Sequence, residues 1–167
     1  HRDLHRLIRR QRQMCIRYRL KRHTDRIGIV WAPNVTDGIN ILSSLSKLVK
    51  SSWPDADISV IETHHSAKED ISGTALKLTE DLRDTEHIKI GRAEDSPRVE
   101  NEIVIHKVRL GGVIGKHQFV FGNPYQTITL THETISRRAF GSGAIRAARW
   151  IHKKKGFYSM DHVIGLE

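Results

Sequence analysis

The sequence predicts an α+β domain in which a mixed β-sheet carries helices packed on one face. Three observations support this class. Apolar residues recur at helical spacing in the first part of the chain, alternate with polar residues from Ile103 onward, and return to helical spacing after Ser136. Two helices, a run of strands and a closing helix together favour one layer of helices over one sheet.

The first expected strand is the apolar run at residues 27–31, which Ala32, Pro33 and Asn34 bring to an end. Thr36 or Asp37 is the expected cap of the helix that follows. That helix is expected to bury one face, made of Ile41, Leu42, Leu45, Leu48 and Val49.

The next expected strand is residues 58–61, and Ser72 is the expected N-cap of the second helix. This helix should bury Ala75, Leu78 and Leu82. Residues 86–102 are polar and contain Gly91 and Pro97, which is typical of a mobile loop.

From Ile103 the period of two predicts three strands of antiparallel type, near residues 103–108, 119–121 and 127–131. A final helix should run from about Ser136 to His152 and stop before Gly156. Val163 and Ile164 are expected in a last short strand. The final helix is expected to bury Phe140, Ala144, Ala147, Ala148 and Ile151.

Charge is distributed unevenly along the 167 residues, which carry +9 in total. Residues 1–26 hold ten Lys and Arg and only two acids, whereas the remaining 141 residues hold 18 basic and 17 acidic side chains. This distribution argues against nucleic acid as the partner of the main body. The single Cys15 and the absence of a membrane-length apolar run predict a cytoplasmic chain with no membrane partner.

Residues 1–26 have three interpretations. A basic helix could bind RNA, DNA or an anionic membrane. The segment could instead be a solvated tail, or the product of out-of-frame translation of a truncated gene. We expect a tail or such a product, lying outside the core that residues 27–167 form.

Residues 62–75 combine chemistry that suits a polar, multiply charged small molecule. His64 and His65 offer proton transfer near neutral pH, Lys68 offers a permanent cation, and Ser72-Gly73-Thr74 offers N–H groups at a helix start. Taken singly, the histidines read as surface residues at a strand end, and Ser72 reads as a simple cap. Neighbouring strand residues point to opposite faces and no cysteine is nearby, so no metal site is predicted.

This motif, with residues 30–40, 111–117, 131–140 and 160–166, resembles the dihydrodipicolinate reductase family from about Ile27 to Glu167. The resemblance implies an enzyme of lysine and diaminopimelate biosynthesis that reduces 4-hydroxy-tetrahydrodipicolinate to tetrahydrodipicolinate with NADPH or NADH. It also implies a dicarboxylate substrate and a homo-oligomer, a tetramer formed through the sheet.

The resemblance assigns roles to individual residues. His64 would donate the proton and Lys68 would assist it, so both are candidate catalytic residues. The substrate carboxylates would be held by His65, Gly73 and Thr74. The nicotinamide cofactor would be contacted by Ala32, Pro33, Asn34 and Val35.

Three departures from the family pattern stand out. The segment Asp70-Ile71-Ser72-Gly73-Thr74 lacks the family's proline and is one residue shorter, and Lys116 replaces a glutamate. The sequence also contains no Gly-x-x-Gly-x-x-Gly loop for a dinucleotide.

We therefore expect residues 27–167 to form a substrate-binding and oligomerisation domain with little activity alone. Residues 32–35 and 136–167 should border a nucleotide-binding domain that this sequence does not contain. The alternative is a non-catalytic dicarboxylate-binding or oligomeric interaction module with a basic tail.

Overall fold

The computed structural model describes Arg12 and residues 14–82, 87–92, 96–100 and 102–166. The chain divides into two compact units. The larger is Pro33–Gly143, and the smaller joins the residues up to Ala32 with those from Ala144 onward. Within this described part, no helix combines the length and apolar character needed to cross a bilayer.

The larger unit is built on a five-stranded sheet with the order β3-β4-β2-β5-β6. Its strands are β2 (Asp57–His64), β3 (His87–Ile90), β4 (Glu102–Arg109), β5 (Gly115–Asn123) and β6 (Gln126–Thr134), numbered after β1 (Gly28–Val30) of the smaller unit. Helices α1 (Asp37–Ser52) and α2 (Gly73–Glu80) belong to the same unit. The predicted α+β class with a mixed sheet is confirmed.

One face of this sheet carries the hydrophobic core. Alternate residues of the three central strands are fully or almost fully buried on it, and both helices add apolar side chains. The main members of this core are Ile39, Leu42, Ile58, Val60, Ala75, Leu78, Ile103, Ile105, Phe119 and Phe121.

Strand direction differs from the prediction in one place. β4 pairs with β2 in parallel, whereas β5 and β6 are antiparallel as expected. Alternation of apolar residues reports which face a residue occupies but not which way the strand runs. The expected loop at residues 86–102 is also wrong in part, because His87–Ile90 forms an edge strand parallel to β4.

The buried face of α1 was predicted correctly only for Leu42, with Val49 partly buried against the core. Ile39, Leu42 and Ser46 are buried, whereas three of the five expected residues are exposed. Ser46 can occupy the buried face because its hydroxyl donates to the Leu42 carbonyl at 2.8 Å. The exposed stripe on the other side of α1 consists of Ile41, Leu45 and Leu48.

The remaining elements are helix α3 (Arg138–Ile151), strand β7 (Gly156–Tyr158) and helix α4 (Met160–Ile164). In the smaller unit, β1 and β7 form a two-stranded parallel sheet, and residues 14–21 are helical. Of the five α3 residues expected to be buried, only Ala147 is.

The expected last strand at Val163 and Ile164 is instead part of α4. A capping box between Ser159 and His162 starts this helix. The Ser159 hydroxyl accepts from the backbone N–H groups of Asp161 and His162, and the His162 ring accepts from the Ser159 N–H. Gly165, with φ of 79°, ends the helix in the left-handed conformation that glycine adopts without strain.

Candidate functional site

The C-terminal end of β2 places two polar side chains on the buried face of the sheet. Ile58 and Val60 belong to the core, and the same alternation continues to Glu62 and His64. Glu62 is 0% exposed and His64 is 8% exposed. A carboxylate and an imidazole therefore replace apolar side chains at the end of a core strand.

The Glu62 carboxylate has a partner on each oxygen. Arg109, at the end of β4, donates from Nη2 to Oε1 at 2.8 Å, and the Ser72 backbone N–H donates to Oε2 at 2.7 Å. His64 Nδ1 lies 3.6 Å from Oε2, within reach of an ion pair when the imidazole is protonated. The buried charge is thus compensated, as a carboxylate in a core must be.

Arg109 also holds the turn that follows β2. Its Nε donates to the Lys68 carbonyl at 2.7 Å, and its Nη2 donates to the Asp70 carbonyl at 3.0 Å. The turn closes on itself through the Lys68 N–H, which donates to the His65 carbonyl at 3.0 Å. His65 and Lys68 therefore lie on a short segment whose backbone is fixed at both ends.

Helix α2 begins beside this turn. Ser72 is its N-cap, as predicted, and the Ser72 hydroxyl accepts from the backbone N–H groups of Thr74 and Ala75. Gly73 is exposed, with no atom of another residue within 4 Å of where a Cβ would stand. The helix start is thus open to an approaching anion at Gly73.

His117, on β5, completes the buried group. Its Nε2 lies 3.3 Å from the Ser72 hydroxyl, and its ring meets the His64 ring edge to face, with centroids 5.4 Å apart. Burial, with smaller contributions from His64 and His132, lowers the pKa of His117 to about 3. His117 is therefore a neutral imidazole at neutral pH.

His64 has a more balanced environment. Burial lowers its pKa, Glu62 opposes that shift, and Lys68, Arg109 and His65 reinforce it. His64 is thus mostly neutral at neutral pH, and negative charge added nearby would favour its protonated form.

The segment proposed to contact a cofactor lies at the start of α1. Asn34 Nδ2 donates to Thr74 Oγ1 at 3.2 Å, so this segment touches the first turn of α2. Asn34 Oδ1 accepts from the Thr36 N–H and hydroxyl at 2.9 and 2.8 Å. Both ends of the Asn34 amide are therefore engaged within the protein.

Glu62 and Arg109 thus link His64, the backbone of the turn that carries Lys68, and the start of α2. Sequence reasoning gave no role to Glu62, Arg109 or His117. Glu62 carried a usable signal, because a charged residue directly follows the apolar run 58–61 at the spacing of the buried face. Arg109 carried none, since its partner is 47 residues away.

Lys116 receives a structural explanation. It stands directly across from Glu133 on β6, and its Nζ lies 3.9 Å from the Glu133 carboxylate. Both side chains are partly exposed, so this pair contributes little to stability.

Glu62, His64 and His117 also have the spacing of metal ligands. One ligand atom from each lies within 4.8 Å of the others. Both Glu62 oxygens are already taken by Arg109 and Ser72, so a cation would compete with a guanidinium. The absence of a metal site stays a prediction.

Comparison with known proteins gives a consistent result. A sequence model described as "Dihydrodipicolinate reductase, C-terminus" matches residues 38–164. The 4-hydroxy-tetrahydrodipicolinate reductase of Aquifex aeolicus is 37% identical over 154 residues, and that of Methanocorpusculum labreanum is 41% identical over 145. These alignments cover 88% and 84% of this chain but 58% and 57% of the relatives.

A solved structure agrees with these relatives. The dipicolinate-bound dihydrodipicolinate reductase from Paenisporosarcina sp. TG-14 superposes with a TM-score of 0.65 and 30% identity. The match covers 80% of this chain and 53% of that one. The chain therefore spans a little over half the length of the proteins it resembles.

Proposed function

Because this chain belongs to the dihydrodipicolinate reductase family, we propose that it binds the dicarboxylate substrate of a 4-hydroxy-tetrahydrodipicolinate reductase. The reaction it serves would be the NAD(P)H-dependent step to tetrahydrodipicolinate in lysine and diaminopimelate biosynthesis. The observation that carries the proposal is the set of hydrogen bonds, made by Arg109 and Glu62, that ties the backbone of the Lys68 turn and the α2 start to the end of β2, where His64 lies.

The substrate carboxylates need cations and N–H donors. Lys68 supplies the fixed charge, and the salt bridges of the described residues do not include it. At the start of α2 the helix dipole favours negative charge, and Gly73 leaves room for close approach to its N–H. The Thr74 N–H already donates to Ser72, so Thr74 would contribute its hydroxyl. His65, directly after β2, completes the proposed carboxylate contacts.

His64 is the proposed proton donor. The lowered pKa keeps it mostly neutral in the free protein, and a bound dianion favours its protonated form. The proton is thus taken up together with substrate and is ready for transfer to carbon. A bound nicotinamide cofactor would supply the hydride. Once the 4-hydroxyl group of the substrate has left as water, the ring carbon beside the one that accepts the hydride would take the proton that His64 holds.

The cofactor contact is proposed at residues 32–35. Because the Asn34 amide is engaged by Thr36 and Thr74, the contact would come from the backbone of Ala32, Pro33 and Val35. The sequence holds no glycine loop of the dinucleotide-binding type, so the cofactor phosphates would be held by residues outside these 167.

Calorimetry with pyridine-2,6-dicarboxylate tests the proposal. The wild-type chain is expected to bind, and Lys68→Ala should weaken binding by ~1.5–3 kcal/mol because a charge-assisted hydrogen bond is lost. Lys116→Ala removes a lysine of the same unit that pairs with Glu133, and serves as the control. Equal affinities for wild type and Lys68→Ala would refute the proposed site.

A non-catalytic dicarboxylate-binding or interaction module is the second candidate, favoured by the lack of a phosphate-binding glycine loop. The two candidates differ in NAD(P)H oxidation. Oxidation that depends on added substrate and disappears in His64→Gln supports a reductase. Because both candidates allow dicarboxylate binding without oxidation by these 167 residues alone, the module is supported only if oxidation stays absent when a nucleotide-binding domain of the family is supplied.

We also propose that the chain forms a homo-oligomer, a tetramer by analogy with the family. The apolar side chains exposed on α1 and β6 support this proposal, since exposed apolar surface favours association. They are Ile41, Leu45, Leu48 and Ile128.

A further inference from the structure

We infer that Glu62 and Arg109 act as a positioning pair. The pair holds the turn at residues 65–70, which carries Lys68, and the start of α2 in a fixed position relative to His64. Neither residue is expected to touch the reacting atoms. The inference rests on the proposed function for its consequence in binding, while the geometry of the pair stands by itself.

The burial of Glu62 is the first argument. The residue occupies a core position of β2 at 0% exposure, where an apolar side chain would cost no desolvation. Its carboxylate instead binds two groups that belong to other segments, the Arg109 guanidinium and the Ser72 N–H. The carboxylate therefore fixes the start of α2 relative to the end of β2.

The branched contacts of Arg109 are the second argument. One guanidinium reaches the Lys68 carbonyl, the Asp70 carbonyl and the Glu62 carboxylate. A lysine offers a single charged nitrogen and cannot reproduce such a planar, multiple contact. The turn that carries Lys68 is thus held by the shape of the guanidinium as well as by its charge.

The pair also acts on His64 electrostatically. Glu62 raises the pKa of His64 and Arg109 lowers it. Neutralising Glu62 should therefore lower the pKa of His64 further. Replacing Arg109 with lysine preserves a positive charge and should change that pKa little while loosening the turn.

The sheet offers a matched control. Glu102, on β4, is 3% exposed and pairs with Arg92. It is a second buried glutamate bonded to an arginine, and it contacts none of the site residues named above. Glu102→Gln thus reproduces the loss of a buried charge outside the site.

The experiment compares wild type with Glu62→Gln, Arg109→Lys and Glu102→Gln. The pKa of His64 is measured by NMR without ligand, binding of pyridine-2,6-dicarboxylate by calorimetry, and stability by thermal unfolding. Glu62→Gln should lower the His64 pKa and weaken binding about tenfold or more, and Arg109→Lys should weaken binding similarly with little change in that pKa. Glu102→Gln should lower stability alone.

The outcomes separate this inference from the proposed function. If both site variants bind as tightly as wild type, or weaken no more than Glu102→Gln, the positioning role is refuted. If wild type does not bind, the proposed function fails, and amide hydrogen exchange of residues 65–73 that is the same in wild type, Glu62→Gln and Arg109→Lys would then refute the positioning role as well. Should Glu62→Gln fail to fold, the affinity of Arg109→Lys, whose side chain is partly exposed, decides.

Discussion

Asn34 Nδ2 lies 3.2 Å from Thr74 Oγ1, so two segments 40 residues apart meet through one hydrogen bond. The same Asn34 side chain accepts from the Thr36 N–H and hydroxyl at the start of α1. One amide therefore ties together the first turns of α1 and α2. The segment expected to contact cofactor and the segment expected to hold carboxylates are direct neighbours.

Removing the hydrogen bond between Asn34 and Thr74 should lower the stability of the protein. Asn34→Ala is expected to lower the free energy of unfolding by about 1–3 kcal/mol, because Thr74 and Thr36 lose partners in a partly buried place. Thr74→Val removes only the shared hydrogen bond. In urea titrations the double variant should be more stable than additivity requires, by roughly 0.5 kcal/mol or more. Strict additivity would show that the two side chains do not interact.

His117 should make stability depend on pH. The pKa of His117 is about 3 in the folded protein, against an ordinary value of 6.5, so the unfolded chain binds more protons between these values. The contribution of His117 to the free energy of unfolding is fully present above pH 6.5. It is lost as the pH falls toward 3, by up to ~1.4 kcal/mol per pH unit. His64 and His132, whose pKa values are also lowered, act in the same direction.

The measurement is the free energy of unfolding as a function of pH, for wild type and His117→Gln. The variant should show a shallower fall on the acid side. Identical slopes in the two proteins would mean that His117 is protonated without unfolding.

Two glycines of α3 provide a close comparison of packing. A Cβ at Gly143 would stand 2.8 Å from the Val35 carbonyl carbon, whereas one at Gly141 would meet no atom within 4 Å. Gly143→Ala should therefore destabilise the protein and displace the segment at Val35. Gly141→Ala should stabilise it by about 0.5–1 kcal/mol, since alanine loses less backbone entropy in a helix. Thermal unfolding of both variants checks this, and equal shifts would contradict it.

Local chemistry made part of this fold predictable. The Ser72 cap and the core positions Ile58 and Val60 follow from turn chemistry and from period-two alternation within a few residues. Long-range pairing was not predictable in this way. The parallel direction of β4 depends on how the chain returns to the sheet, and the Arg109 contacts depend on that direction.

The buried face of α1 shows a different limit. Ser46 is buried there because it bonds to its own helix backbone, while the more apolar Leu48 is 60% exposed. Hydrophobicity alone ranks these two residues the wrong way round. The same limit applies at the candidate site. Glu62 can be buried because its carboxylate is bonded to Ser72 and Arg109, which lie 10 and 47 residues away in the sequence.

Association in solution is the next expectation. Light scattering at micromolar concentration should report a multiple of the 19.1 kDa chain mass, because apolar side chains stay exposed on α1. Leu45→Lys and Leu48→Lys would identify a role for that stripe if they lower the mass while preserving the thermal midpoint. A wild-type mass of one chain would contradict the proposed oligomer.

Dicarboxylate binding should be coupled to protonation of His64. The lowered pKa of His64 leaves it mostly neutral at pH 7, and a dianion beside it favours the charged form. Affinity for pyridine-2,6-dicarboxylate should therefore rise as pH falls below 7 and level off once His64 is protonated in the free protein. Calorimetry in buffers of different ionisation enthalpy should detect net proton uptake at pH 7.

Two variants separate the contributions to this coupling. His64→Gln should abolish the proton uptake, whereas Lys68→Ala should weaken binding at every pH and retain uptake, because His64 is still present to take the proton. His65→Gln is the control for the neighbouring imidazole. Proton uptake that persists in His64→Gln and vanishes in His65→Gln would transfer the proposed donor role to His65.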